Sequence, residues 1–419
     1  MNIPSLYQIF LNNPSVSTDT RNIQPGDLFF ALKGPNFNRN EYTQIALDAG
    51  AAFCITDEDT RNESDKVIRV ENSLETLQQL ALHHRLEFTI PFIAITGTNG
   101  KTTTKELVHA VLSSSHTTYT TEGNLNNHIG IPRTLLKIRK DAHMAVVEMG
   151  ANHIGEIKSY CNIVQPNFGL ITNCGKAHLE GFGSEEGVRK GKGELYDFLR
   201  ENAGTAFVNS SLPYLVEMSK GITERIFYSE ESSLAPEKND EQLALKMKDG
   251  MLIKTNLVGE YNLPNVQAAI AIGLHFNIPI ETIKTALENY LPANNRSQMM
   301  KWNGYTVIMD AYNANPSSMI AAIKNFAALK SDKKILMLGS MKEMGKESAA
   351  EHRSLVEMIG QYQWEKVVLV GDEFEFVPPS FIHFSNSEQA RQWLADNPVK
   401  GAHILLKGSR GVKMERVME

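Results

Sequence analysis

Cysteine is scarce in this chain. It carries three, Cys54, Cys161 and Cys174, with no C-x-x-C pair among them. An odd, sparse set excludes a disulfide framework and fits a reducing compartment. Long apolar runs are missing as well, since none reaches the ~18 residues of a membrane-spanning helix. The N-terminus has no basic stretch leading into an apolar segment, so no secretory leader is read there. These absences lead to the expectation of a cytoplasmic protein with no membrane partner. Excess positive charge is also lacking. Lys and Arg total 42 against 48 Asp and Glu, a formal net charge of -6. That balance excludes a broad nucleic-acid-binding face, although local basic clusters can still hold an anion.

What is present describes an ordinary globular protein, 42% hydrophobic and 21% charged. With 419 residues the chain is too long for one core, so about three domains are expected. No internal repeat is visible. The most loop-like segment is the polar stretch Glu230 to Glu241 around Pro236.

The most informative stretch is Ile93 to Lys105, IAITGTNGKTTTK. Pro91 to Ile95 reads as a buried strand, Gly97-Thr98-Asn99-Gly100 as a glycine turn, and Glu106 to Leu112 as a helix. Between turn and helix stand Lys101, Thr102 and Thr103. Strand, glycine turn, Lys-Thr and helix make a phosphate cradle. Glycines let backbone N–H groups approach phosphate, the lysine neutralises charge, and the hydroxyl after it can ligate Mg²⁺. The match to G-x-x-x-x-G-K-[ST] is incomplete, because its first glycine falls on Ile95. The plain alternative is a tight turn capped by hydroxyls.

Along the chain, three α/β blocks are read. In the first, 1–88, Asp27 to Leu32, Ala51 to Thr56 and Lys66 to Val70 read as strands. Tyr42 to Ala49 reads as a helix, and Ser73 as the cap of another. Thr20-Arg21 and Leu32-Lys33-Gly34 are either anion contacts or solvated loops. In the second, 89–292, Thr121 to Pro132 is dense in amides and is either a loop or a polar ligand surface. Met144 to Val147 is a strand ending in Glu148, where Mg²⁺-binding acids sit in nucleotide-binding sheets. Phe168 to Thr172 is another strand, and the glycine-rich turn after it carries His178, structural or functional. The helix Glu185 to Arg200 carries Arg189, Lys190 and Lys192, a run whose plain reading is a solvated face. Leu243 to Leu257 holds an Asp249-Gly250 hairpin signal. Asn262 and Asn265 open an apolar helix and could be caps. Leu291-Pro292-Ala293 reads as a linker. In the third block, 293–419, strands end in Asp310, Gly339 and Lys407, placing polar residues along one sheet crevice.

The segments TGTNGKTTTK, TEGNLNNHIGIP, EMGANHIGEI, NCGKAHLEGFGSEEGVRKGKGEL, GEYNLPN, DAYNANPSSM, LGSMKEMG and LLKGSRGVKME follow one another in this order. Together they resemble the Mur ligases of peptidoglycan synthesis, over nearly the whole chain. Among these they are nearest the member that adds D-Ala-D-Ala to UDP-MurNAc-tripeptide. The resemblance implies an N-terminal substrate-binding domain, a central P-loop ATPase domain with a mostly parallel sheet, and a C-terminal Rossmann-like domain. It implies ATP and Mg²⁺ as cofactors, small-molecule substrates and a monomer. It assigns Gly97 to Thr103 to the ATP phosphates, with Lys101 on the transferred phosphate and Thr102, Glu148 and His178 on the metal. Lys192 falls where these ligases carry a carbamylated lysine. Asn262 and Asn265 would meet the adenine, and Arg296 and Asp310 the phosphates and ribose. Thr20, Arg21 and Lys33 would bind the UDP end, and Asn124, Asn126 and Asn127 would line the muramoyl-peptide groove. Two residues depart from the family pattern. Tyr261 stands for the commoner histidine and Asn295 for a glycine, which puts adenine packing in question.

The implied chemistry suits these residue types. A carboxylate is a poor electrophile, and phosphorylation by ATP would supply a leaving group for attack by an amine. Two other readings stay open, another amide ligase of the superfamily, folylpolyglutamate-type included, and a nucleotide-binding ATPase without ligase activity.

Overall fold

The computed structural model describes residues 1–59, 64–229, 232–234, 242–293 and 295–419. Its framework is three α/β units, each on its own sheet. The first sheet is four-stranded and parallel, in the order Val16–Ser17, Leu28–Phe30, Phe53–Thr56 and Val67–Arg69. Helices Ile3–Asn12 and Ser73–Leu86 pack beside it. The second helix begins differently from the sequence expectation. Asn72, not Ser73, is its cap, with Asn72 Oδ1 accepting from Glu75 N at 2.9 Å. Both residue types cap well, and the buried Ser73 is already the first helical residue. The expected helix Tyr42 to Ala49 is present as Thr43–Asp48, preceded by a 3-10 turn, Arg39–Tyr42.

The second sheet has six parallel strands in the order Glu224–Tyr228, Thr205–Asn209, Phe168–Ile171, Phe92–Thr96, Met144–Glu148 and Thr118–Thr120. Strand residues alternate faces. Phe92 and Ala94 therefore join the core shared with the N-terminal helices, through Phe10, Leu77 and Leu80. Ile93 and Ile95 face the opposite core, with Val108, Leu257 and Ile270. This double burial explains why these strands read as continuous apolar runs. A three-stranded antiparallel sheet follows, Ser232–Leu234, Gln242–Met247 and Leu252–Val258, with Gly250 at φ 94 in the expected hairpin turn. The stretch expected as a loop, 230–241, lies mostly outside the described residues. The three residues described within it, Ser232–Leu234, form an edge strand.

The third sheet runs Gln298–Trp302, Tyr305–Asp310, His403–Lys407, Lys334–Gly339, Lys366–Val370 and Ile382–Phe384, parallel except for its first strand. Two edge strands, Gln298–Trp302 and Ile382–Phe384, were not expected from the sequence. Both are only partly buried and carry polar residues, so they lack the apolar run that marks the central strands. Among the described residues, no helix is long and apolar enough to cross a membrane.

Candidate active site

The strand Phe92–Thr96 ends in a turn whose glycines are required by space. Gly97 has φ 141, and a Cβ there would lie 2.0 Å from Thr172 Oγ1. Gly100 has φ 79, and its Cβ would meet Asn265 Oδ1 at 2.5 Å. The helix Lys101–Ser113 starts immediately afterwards, so its unpaired N–H groups and positive end face the turn. The Lys101 ammonium donates to the carbonyls of Gly97 and Thr98, at 2.8 and 2.9 Å. Burial lowers its pKa to about 8, with Arg296 contributing in the same direction and Glu148 opposing.

This turn forms one wall of a cavity of about 610 Å³. From the central unit the cavity takes Thr98 to Thr103, Asn124, Asn126, Asn127, Glu148, His178, Asn262 and Asn265. From the C-terminal unit it takes Arg296 and Asp310. Most of the residues singled out from sequence thus meet at one seam, although they span more than half the chain.

Side chains cross that seam directly. Asn99 Nδ2 donates to Ser317 Oγ, and Asn315 Nδ2 donates to Asn99 Oδ1, both at 2.8 Å. Asn315 also caps the helix Pro316–Ala328, its Oδ1 accepting from Ser318 N. The same residue starts a helix and docks it onto the phosphate turn. His178 Nδ1 lies 2.5 Å from Glu343 Oε2, and that contact holds the Glu343 carboxyl below its usual range. Lys176 pairs with Glu351 at 3.0 Å. Neither Asn315, Ser317 nor Glu343 was singled out from sequence. DAYNANPSSM carried the signal for Asn315, as the cap of an Asn-x-x-Ser helix start, Asn315 to Ser318, beside a strand end.

Glu148 accepts from Asn126 Nδ2 at 2.7 Å through Oε1, while its Oε2 is buried without a hydrogen-bond partner. No group of three or more His, Cys, Asp and Glu able to hold a metal occurs among the described residues. The donor set is therefore no protein cage. It suits a cation held by one or two carboxylates, a hydroxyl, phosphate oxygens and water, the usual habit of Mg²⁺.

Arg296 stacks on Tyr312, its guanidinium carbon 3.7 Å from the ring centroid, and its Nε is buried with no partner. Asp310 accepts from Lys407 Nζ at 2.6 Å and from Ser297 N at 3.2 Å. Asn262 and Asn265 are not simple caps. Asn262 Nδ2 donates to Val258 O, Asn265 Nδ2 to Asn262 Oδ1, and Thr104 Oγ1 to Asn265 Oδ1. Both departures from the family pattern find a place. Tyr261 lines the cavity with its hydroxyl 3.0 Å from Ser297 Oγ. Asn295 has φ 55, a conformation natural to glycine and best tolerated elsewhere by asparagine.

Lys192 does not line the cavity. The plain reading, a solvated face, holds for Lys190, which is exposed, but not for Lys192, which is 1% exposed. Its ammonium donates to Ala151 O at 2.8 Å and sits 5.1 Å from the Phe182 ring. Burial, then Lys101, lowers its pKa to about 7. Thr20, Arg21 and Lys33 are not brought into the cavity. Thr20 opens a 3-10 turn in the N-terminal unit, Arg21 is held by Asp19, and Lys33 pairs with Glu58.

A parallel sheet with a phosphate turn, closed by a second α/β unit, defines a nucleotide-dependent ligase architecture, and the comparisons agree. Residues 95–273 match the Mur ligase middle domain, and residues 295–410 match the Mur ligase, glutamate ligase domain. The chain belongs to the Mur ligase family. Within it, the chain is 32% identical to the UDP-N-acetylmuramoyl-tripeptide–D-alanyl-D-alanine ligase of Bacillus subtilis, over 100% of this chain and 97% of that one. The protein of the same name from Escherichia coli is 31% identical, over 96% and 92%. The structure of MurF ligase from Thermotoga maritima in complex with ADP superposes with a TM-score of 0.86 at 26% identity, covering 97% of this chain and 96% of that one. MurF from Acinetobacter baumannii gives 0.85 at 30% identity, over 96% and 92%.

Proposed function

We infer that this chain is an ATP-dependent ligase that joins D-Ala-D-Ala to the terminal carboxylate of UDP-MurNAc-tripeptide, in the cytoplasm, as a monomer. The observation that supports it best is the seam itself, where a phosphate turn, an amide-rich loop and residues of a second α/β unit enclose one cavity. We assign 1–88 to binding the UDP-linked substrate, 89–292 to ATP, and 293–419 to closing over both. Thr20, Arg21 and Lys33 hold the UDP end in this reading, and Asn124, Asn126 and Asn127 the peptide.

Lys101 and the N–H groups of Gly97 to Thr103 bind the ATP phosphates. Lys101 neutralises charge spreading over the transferred phosphoryl group. Oxygen of the substrate carboxylate displaces ADP from the γ-phosphorus and forms an acyl phosphate. The amine of D-Ala-D-Ala then adds to the carbonyl carbon, and the tetrahedral adduct collapses with loss of phosphate, the proton shed by the nitrogen balancing on the released phosphate. Exclusion of water by the C-terminal unit protects the acyl phosphate from hydrolysis. Thr102, the free oxygen of Glu148 and the Nε2 side of His178 would hold Mg²⁺, with a carbamylated Lys192, set behind the cavity wall at Ala151, orienting it; when bound the ion supplies further charge neutralisation at the phosphates. Asn262 and Asn265 flank the base, and Arg296 and Asp310 reach the phosphates and ribose.

The test is ADP release with UDP-MurNAc-tripeptide against a panel of D-Ala-D-Ala, D-Ala, D-Glu and L-amino acids. Release that depends on both the tripeptide and D-Ala-D-Ala is expected. Release without any amine, or preference for a single amino acid, contradicts the reading.

The C-terminal assignment has its own check. Asp310→Ala should raise KM for ATP several-fold, and more than KM for D-Ala-D-Ala. The substitution also leaves Lys407, 2% exposed, without its carboxylate partner. A stability loss of about 3 kcal/mol follows, because a buried charge is left unpaired. Kinetics are therefore read below the variant's melting transition, and unchanged KM for ATP argues against a nucleotide role for Asp310.

A further inference from the structure

Lys105 is a lysine that the mechanism above does not use. It lies four residues after Lys101 on the same helix and is 0% exposed. Lysines are rarely buried completely unless they are paired. Here Nζ donates to Thr121 O at 2.7 Å and to Glu106 Oε1 at 2.5 Å. Thr121 is itself 0% exposed and is the first residue of the amide-rich loop. Its hydroxyl Oγ1 accepts from Glu148 N at 3.0 Å. Glu148 Oε1 in turn accepts from Asn126 Nδ2, and Gly150 N donates to Asn126 O at 2.8 Å.

These bonds close a circuit. The phosphate-turn helix is tied through Lys105 to Thr121, Thr121 to the Glu148 strand end, and Glu148 back to Asn126 in the middle of the loop. We propose that Lys105 is a positioning residue, one that sets the amide-rich loop and Glu148 in register with the phosphate turn so that the substrate carboxylate meets the γ-phosphate. A purely structural lysine needs only acceptors. This one takes its main-chain acceptor from the residue that anchors both a cavity-lining loop and a cavity-lining carboxylate. A charge-assisted bond in a dry interior is directional and strong, which suits holding a loop in place. Its effect on binding should fall on the carboxylate substrate, since Lys101, Asn262, Asn265, Arg296 and Asp310 are held by other partners than Thr121, while displacement of Glu148 should show in kcat.

Two variants test this. Lys105→Met keeps length and burial but removes the donor. Thr121→Val keeps shape but removes the acceptor for Glu148 N. Each is expected to raise KM for UDP-MurNAc-tripeptide about tenfold and lower kcat, with KM for ATP within about twofold of wild type. The double variant should be little worse than the more severe single one, because both act on one circuit. Melting temperatures measured alongside separate this from general destabilisation, which lowers activity by reducing the folded fraction and leaves both KM values unchanged. Thr121→Val with wild-type KM for the tripeptide overturns the inference, and it decides the matter even where Lys105→Met fails to fold. Additive effects in the double variant overturn it as well. The inference rests on the ligase reading above. Wild-type chain that releases no ADP in response to both substrates would overturn that reading, whereas active wild type with an unaffected Thr121→Val overturns the role of Lys105 alone.

Discussion

Lys101→Ala should abolish turnover, with a loss in kcat of about 10³-fold or more, while the melting temperature stays close to that of the wild type. The size follows from what a cation does for phosphoryl transfer. Little covalent chemistry falls to the protein, so positioning and charge neutralisation carry most of the acceleration. The spared stability follows from the geometry. The ammonium donates to two carbonyls of its own turn, and it is held there in a form that burial already disfavours. Truncation therefore removes a desolvated charge along with its bonds, and the two effects oppose each other. Steady-state kinetics and a thermal melt on one preparation check both halves. A variant retaining about a tenth of wild-type kcat would remove Lys101 from the chemistry.

The second large effect concerns Lys192. Lys192→Ala should lose most of the activity, about 10²-fold or more, whereas Lys190→Ala should lose little. The two lysines stand two residues apart on one helix, yet Lys190 is exposed and Lys192 buried. CO₂ reacts only with a neutral amine, forming the N–C bond and releasing a proton. A pKa of about 7, lowered first by burial and then by Lys101, leaves Lys192 substantially neutral near pH 7. Below that pH protonation removes the nucleophile, so carbamylation and activity should fall together. The carbamate replaces a buried cation by an anion close to Lys101, with two oxygens able to orient a metal ion. Acetate or another small carboxylate should restore part of the activity of Lys192→Ala by filling the space left behind. Intact mass or carbon NMR with labelled bicarbonate reads the modification directly. Near-normal turnover of Lys192→Ala, or an active enzyme with an unmodified amine, contradicts the assignment.

Much of this site was legible in the sequence because its parts are local. The phosphate turn is one contiguous segment, and its glycines are fixed by backbone conformation and by close contact with Thr172 and Asn265. The central strands announce themselves because both of their faces are covered. What the sequence concealed is of two kinds. Edge strands such as Ile382–Phe384 are half-solvated and carry no continuous apolar signal. Contacts across the seam, such as His178 with Glu343 or Asn99 with Asn315, join residues far apart in the chain, and no local pattern declares them. Lys192 shows the limit most clearly. A basic helix turn reads as solvated by composition, and only the packing of Phe182 and Ala151 around it shows that one of its cations is buried.

In this mechanism the substrate carboxylate is activated as an acyl phosphate within the cavity. The most direct measurement uses UDP-MurNAc-tripeptide whose terminal carboxylate carries a heavy oxygen isotope, turned over with ATP and D-Ala-D-Ala. Mass spectrometry of the released phosphate then reports which bond was broken. One labelled oxygen per phosphate is expected, because the carboxylate oxygen that attacked phosphorus leaves with it. Unlabelled phosphate, with both labelled oxygens absent from the mineral product, would contradict it.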